Sequence, residues 1–241
     1  MRRLRRAIGA LATMLLAPAA LLVAWGLLRG PSADRPWTPL DLGEPAGLFT
    51  GRKLAALHGD LLTCERLLRR AGVQYRALPT RREGQCGFDD AVRFAPGGSR
   101  RIAFAPTGLG VSCPVAAALA MWEWNIVQPA ARRRFGSAVT RIEHFGSYNC
   151  RHIRGRGTSW SEHSTANAID VAGFTLADGT RISVARNWRG RGDKAEFLRD
   201  VRAGACKLFA TVLSPDYNAA HADHLHLDQA ARGAAGWRAC R

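Results

Sequence analysis

Close-spaced cysteine pairs are missing from this sequence. Its 241 residues hold six cysteines, Cys64, Cys86, Cys113, Cys150, Cys206 and Cys240, and no C-x-x-C pair. A zinc-thiolate knuckle or a thioredoxin-like redox motif therefore has no support. Lysine is scarce as well, so the formal charge of +16 is carried almost wholly by arginine. No zinc-finger spacing, stacking-aromatic signature or helix-turn-helix accompanies that charge. Nucleic acid is thus placed last among partners, and none is expected. The arginine excess fits codon composition as well as it fits a basic face for an anionic polymer or a membrane. There is no internal repeat and no low-complexity tract, and the length suits one good-sized domain with additions.

A long apolar run is present. "MRRLRR" opens the chain, and residues 7–28 then pass 22 positions without a charge. About 20 apolar residues cross a bilayer as a helix. A cleaved signal peptide has a shorter core, and Ala17-Pro18-Ala19 is a weak cleavage site followed by more apolar residues. The expectation is a basic cytoplasmic tail over 1–6, an uncleaved membrane anchor over 7–28 and a Pro/Gly-rich linker over 29–50. A periplasmic domain over 51–241 follows, since the arginine cluster stays inside. This places the protein in the inner membrane with a single pass. An even cysteine count in an exported domain suggests at least two disulfides, with Cys206–Cys240 the favoured pair.

Within the domain, helical and extended patterns mix without regular alternation, which indicates an α+β fold. Leu54, Leu57, Leu61, Cys64 and Leu68 mark one helix from about residue 52 to Gly72. "VQYRAL", "AVRF" and "RIAFA" are short strands, and "RREGQCGFDD" is a polar turn. A second helix begins after Ser112 with Pro114 in its first turn. "AVTRIEHF" alternates as a strand. Phe197, Leu198, Val201, Ala205, Leu208, Phe209 and Val212 mark a third helix.

Two stretches carry chemistry. "SWSEHSTANAIDV" holds His163 and Asp170 seven positions apart, with the Asp set between Ile169 and Val171. A carboxylate among apolar residues is costly unless a charge offsets it. "HADHLHLD" holds His221, His224 and His226, three of the seven histidines in the chain. In a strand, His224 and His226 share a face and Leu225 and Leu227 share the other. Either stretch alone is compatible with solvated polar residues. Together they form one metal site, with three protein ligands and a fourth position left for water, the pattern of catalytic zinc.

These residues resemble a known group. "SEHSTANAID" is similar to the S-x-H-x6-D signature of the zinc metallopeptidases that include D-Ala-D-Ala carboxypeptidases, murein endopeptidases, lysostaphin and the hedgehog signalling domain. "HADHLH" resembles the H-x-x-H-x-H ending of the murein endopeptidases. With "GSYNCR", the two motifs resemble the extensin-like C-terminal domain family over roughly residues 60–240. The resemblance implies a small antiparallel sheet carrying a zinc site, flanked by helices. It implies His163, Asp170 and His226 as zinc ligands, His224 as base or transition-state stabiliser and His221 as the outer histidine. It further implies Arg151 as a holder of substrate carboxylate. Ala166 stands where these peptidases usually carry Gly. Asp223 stands where the carboxypeptidases carry a Glu base, so the base is assigned to His224 and Asp223 orients it. The expected activity is zinc-dependent hydrolysis of peptidoglycan peptides, by an endopeptidase or a D,D-carboxypeptidase. The alternatives are a zinc-containing module that grips wall peptide without cutting it, and a structural protein whose His cluster is incidental.

Overall fold

The computed structural model describes residues 2–153, 157–233 and 238–241. Met1 of the basic tail, and 154–156 and 234–237 of the expected domain, lie outside them. The first element is a helix, α1 (Arg2–Arg29), with Pro18 inside it. Its stretch Ile8–Gly26 is long and apolar enough to cross a membrane, and none of that stretch is buried within the chain. Such a helix fits a membrane span or a signal sequence. The segment after it packs on the domain: Leu42 is buried in the core, and the Ala46 N–H donates to Asn125 Oδ1 at 3.2 Å.

The apolar stripe expected as one helix is divided between α2 (Thr50–Ala55) and α3 (Leu61–Arg70). The break has a local cause. Gly59 takes φ +77°, and Asp60 caps α3 by accepting the Thr63 N–H at 3.0 Å. Three short strands then form a small antiparallel sheet, β1 (Val73–Ala77), β4 (Ala91–Gly98) and β6 (Gly110–Ser112), with β4 central. The expected polar turn is instead a hairpin of β2 (Arg81–Glu83) and β3 (Cys86–Phe88). Its residues are mostly exposed, so no apolar alternation announced it.

The second helix starts at Cys113 with Ser112 at its N-cap position, but the Ser112 hydroxyl donates to Asn167 Oδ1 at 2.8 Å rather than capping. It runs as α4 (Cys113–Trp122), a π turn over Glu123–Val127 and α5 (Gln128–Phe135). Glu123 in that turn is buried against Arg100, Nη2 to Oε2 at 2.9 Å, and its other oxygen accepts the N–H groups of Arg101 and Ile102. Every residue of α4 is buried, and Trp122 donates its indole N–H to the Val201 carbonyl of α7 (Asp193–Leu208), the helix after the short α6 (Val184–Asn187), at 2.9 Å. The third helix ends at Leu208, sooner than its apolar stripe suggested. Thr211–Leu213 form β10 instead.

The main sheet has the order β12 (Ala239–Cys240), β10, β11 (Leu225–Asp228), β8 (Ala168–Leu176), β7 (Val139–His144), β5 (Ala103–Ala105), with β9 (Arg181–Ser183) also paired to β8. Its middle is antiparallel, and the outer pairs β5·β7 and β10·β12 are parallel. Phe174, Ile169, Val171, Leu225 and Leu227 lie in the core that packs against α4 and α7. The architecture is mixed α and β, as the irregular alternation of patterns indicates.

Three disulfides tie these layers together: Cys64–Cys113, Cys86–Cys150 and Cys206–Cys240. The last is the pair favoured from the sequence, and it holds the C-terminal strand to α7. Disulfides of this kind are compatible with an extracytoplasmic domain.

Candidate metal centre

Asp170 and His226 are direct partners in the pairing of β8 with β11. Strand alternation decides what each side chain meets. Ile169, Val171, Leu225 and Leu227 are fully buried on the core face. Asp170 and His226 project from the other face, so the apolar neighbours of Asp170 do not surround its carboxylate. His163 comes from a short 3-10 turn, Glu162–Thr165, just before β8. Ser161 caps that turn by accepting the His163 N–H at 3.3 Å. Ala166 closes it with φ 56°, the only positive φ at a non-glycine among the described residues. This is the left-handed conformation that favours glycine.

The turn and the two strands bring His163, Asp170 and His226 together as a group able to hold a metal ion. His163 Nε2 lies 3.2 Å from Asp170 Oδ1 and 3.2 Å from His226 Nδ1, and His226 Nδ1 lies 3.0 Å from Asp170 Oδ1. The outer ring nitrogens are engaged elsewhere. His163 Nδ1 is 2.5 Å from the Ser147 carbonyl, and His226 Nε2 is 3.0 Å from Asp228 Oδ2. Both partners accept only, so those nitrogens carry hydrogen. Each neutral ring then turns a lone pair inward, toward the other ring and toward a carboxylate oxygen. Three acceptors converging at about 3 Å make a group that could hold a cation.

The three ligand atoms are close enough together to share one ion. Bond lengths of about 2.0–2.2 Å from tetrahedral zinc to nitrogen and oxygen place neighbouring ligand atoms about 3.3–3.6 Å apart. The observed edges of 3.0–3.2 Å are slightly shorter than that. Without a metal, a proton takes the place of the cation. Burial works against charge on His226, but hydrogen bonds to Asp170 and Asp228 outweigh it and raise its pKa to about 9. Burial also opposes charge on Asp170, yet hydrogen bonds from His163 and His226 prevail and hold it well below the usual carboxylate range.

His224 stands beside the triangle, its Nε2 3.5 Å from Asp170 Oδ1 and its Nδ1 2.8 Å from Asp223 Oδ1. His221 ends a 3-10 turn, Ala219–His221, and its Nδ1 donates to Asn218 Oδ1 at 2.7 Å. Its ring centre is 5.2 Å from that of His224 and 5.9 Å from that of His226. Burial, and then electrostatic repulsion from the neighbouring histidines, lower the His221 pKa to about 4. Arg151 adds to that effect electrostatically. Six of the seven residues singled out in the sequence are thus gathered, and the seventh lies near. Exposed Phe145 meets His224 edge to face, and Tyr217 packs on His221, so aromatic rings flank the opening.

Two contacts escaped the sequence reading. The Ser147 carbonyl belongs to a backbone that no residue type announces. Asp228 extends the alternation of His224 and His226 by one more step, and that spacing was its only signal.

No curated protein and no solved structure matches the chain. A family model for the extensin-like protein C-terminus matches residues 62–241, a span that takes in all of these site residues. The match covers well over half of the sequence, and the chain belongs to that family.

Proposed function

We propose that this protein is a zinc-dependent peptidase that hydrolyses peptidoglycan peptides from the outer face of the inner membrane. The carrying observation is the convergence of His163 Nε2, Asp170 Oδ1 and His226 Nδ1, with the His224 imidazole held beside them but outside the triangle. Zinc bound there supplies Lewis acidity, polarising a carbonyl and acidifying water. The protein's own groups then move the proton. Asp223 accepts from His224 Nδ1, which keeps the lone pair of a neutral ring on Nε2, toward the centre. Nε2 takes the proton of the attacking water and passes it to the departing amine. His221, neutral at ordinary pH, offers a second acceptor at the same opening. Arg151 would hold a carboxylate of the substrate, and wall peptides are rich in free carboxylates. The net charge of +16 favours such an acidic polymer. The apolar helix α1 would keep the domain at the membrane.

The test is incubation of the zinc-loaded, detergent-solubilised full chain with purified crosslinked muropeptides, read by mass spectrometry. Cleavage that disappears in His224→Ala is the expected result. Retention of intact muropeptide without any cleavage would replace the peptidase with a wall-binding module.

A further inference from the structure

The proposed zinc centre depends on which nitrogen His226 turns inward. We propose that Asp228 is a positioning residue that makes His226 a ligand through Nδ1. This rests on the metal half of the reading above and not on peptide hydrolysis.

An imidazole has two nitrogens, and a neutral ring offers a lone pair at only one. For His226 the inward nitrogen is Nδ1, 3.0 Å from Asp170 Oδ1, and the outward one is Nε2, 3.0 Å from Asp228 Oδ2. A carboxylate cannot donate, so Asp228 obliges Nε2 to keep its hydrogen. The lone pair is then left on Nδ1, facing His163 and Asp170. The two residues are spaced i and i+2 on β11, so their side chains share one face of the strand.

Asp228 is not free to turn away. β11 lies between β8 and β10, and Asp228 is paired with Ala168 on one side and Thr211 on the other. Its side chain is buried, and its second oxygen, Oδ1, accepts the Ala230 N–H at 3.0 Å. Each oxygen thus has a donor that needs it. A buried carboxylate inside a sheet is costly, and two donors on two oxygens is the arrangement that offsets the cost here. His163 has only a backbone acceptor, the Ser147 carbonyl, for the same task. Among the described residues, Asp228 is the side chain that meets the outward nitrogen of a ligand ring.

That geometry makes Asp228→Asn a sharp probe. The amide has the same shape but only one acceptor. If its oxygen takes the Ala230 N–H, its NH2 faces His226 Nε2 and forces that nitrogen to accept. The hydrogen then moves to Nδ1, where the metal should bind. If the amide is reversed, its NH2 meets the Ala230 N–H and a backbone donor is left unpaired. Neither orientation satisfies both neighbours.

The experiment compares the full chain in detergent with its Asp228→Asn variant by competition for zinc with a chromophoric chelator. Near-UV circular dichroism checks that the variant is folded. A loss of about 10- to 100-fold in zinc affinity is expected, the usual range for an outer partner of a metal-bound histidine. Equal affinity in a folded variant would overturn the assignment. Nitrogen-15 NMR of the zinc-loaded parent gives an answer even if the variant fails to fold. His226 should carry hydrogen on Nε2 and none on Nδ1, and the reverse pattern would remove the inference. A parent that binds no zinc would remove the metal centre itself and this inference with it.

Discussion

Asp170 and His226 sit opposite each other across β8 and β11, and their side chains meet at 3.0 Å between Oδ1 and Nδ1. Two adjacent strands in the middle of a sheet thus supply two corners of the site. Their backbones are fixed by the ladder, so the ligand spacing is inherited from strand pairing rather than from a loop. The third corner, His163, is fixed by a capped turn and by the Asn149 N–H, which donates to its carbonyl at 2.9 Å.

One zinc ion per chain is the first expectation. Metal analysis of the purified full chain should find close to one equivalent. His226→Ala and Asp170→Ala should each reduce it to a trace, because two remaining ligands hold zinc poorly. Full retention of metal in either variant would rule out this ligand set.

The dependence on pH has a definite sign. The His226 pKa is raised from 6.5 to about 9 by its two carboxylate partners acting against burial. A raised pKa stabilises the metal-free fold fully below the ordinary histidine value, and that contribution is lost as pH rises through about 9. Asp170 is held below its ordinary 3.8, so its contribution is present above that value and is lost on acidification. Zinc competes for the position of the His226 proton. Zinc affinity should therefore increase with pH, by about tenfold per unit, until about pH 9. Competition with a chelator at three pH values between about 6 and 8 measures this slope. A flat profile would show that no proton is displaced.

The sequence revealed the site more fully than it revealed the elements around it. His163 and Asp170 were legible from their spacing across a turn into a strand, and strand alternation put His224 and His226 on one face; the family resemblance, and not the pattern, picked His226 as the ligand. The divided helix at Gly59 and Asp60 was also written in the sequence, since Asp60 and Thr63 have the spacing of a cap. A continuous apolar stripe concealed it. The end of α7 was not legible locally. Phe209 and Val212 continue the helical stripe, but Thr211–Leu213 pair with β11 and β12, and a long-range ladder overrode the local period. The β2–β3 hairpin has exposed polar residues and is anchored by Cys86–Cys150, a constraint that spacing alone does not reveal.

His224 and Asp223 can be separated by their variants. His224 Nε2 lies outside the ligand triangle, so His224→Ala should keep its zinc and its melting temperature. Its turnover of muropeptides should fall by about 100- to 10,000-fold, the range for loss of a general acid–base. Asp223 is more than half exposed and touches only the far nitrogen of that ring, so Asp223→Ala should lose less. A larger loss in Asp223→Ala than in His224→Ala would make Asp223 the base.

The apolar helix should keep the protein in the membrane. Ile8–Gly26 would be exposed to water along its length if the chain were free in solution. Buried in lipid, the same surface is stabilising and Pro18 is tolerated. The protein should stay in the membrane fraction through a high-salt wash. A mature N-terminus between Ala20 and Gly30, with the protein free in the periplasm, would show a cleaved signal sequence instead.

The disulfides should differ in what they protect. Cys150 lies three residues beyond Ser147, whose carbonyl orients His163, and next to Asn149, whose N–H holds the His163 backbone. Its bond to Cys86 anchors this loop to the β2–β3 hairpin. Cys206–Cys240 instead ties β12, at the sheet edge, to α7. Removing either bond by paired Cys→Ser substitution should cost about 2–4 kcal/mol of stability. Of these two, the loss of Cys86–Cys150 should also weaken zinc binding the more, because that bond anchors the loop whose Ser147 carbonyl meets a ligand ring. Thermal melts of the metal-free variants measure the first effect and chelator competition measures the second. Equal weakening of zinc binding in both pairs would mean that the loop is held by the sheet alone and that the disulfide contributes only general stability.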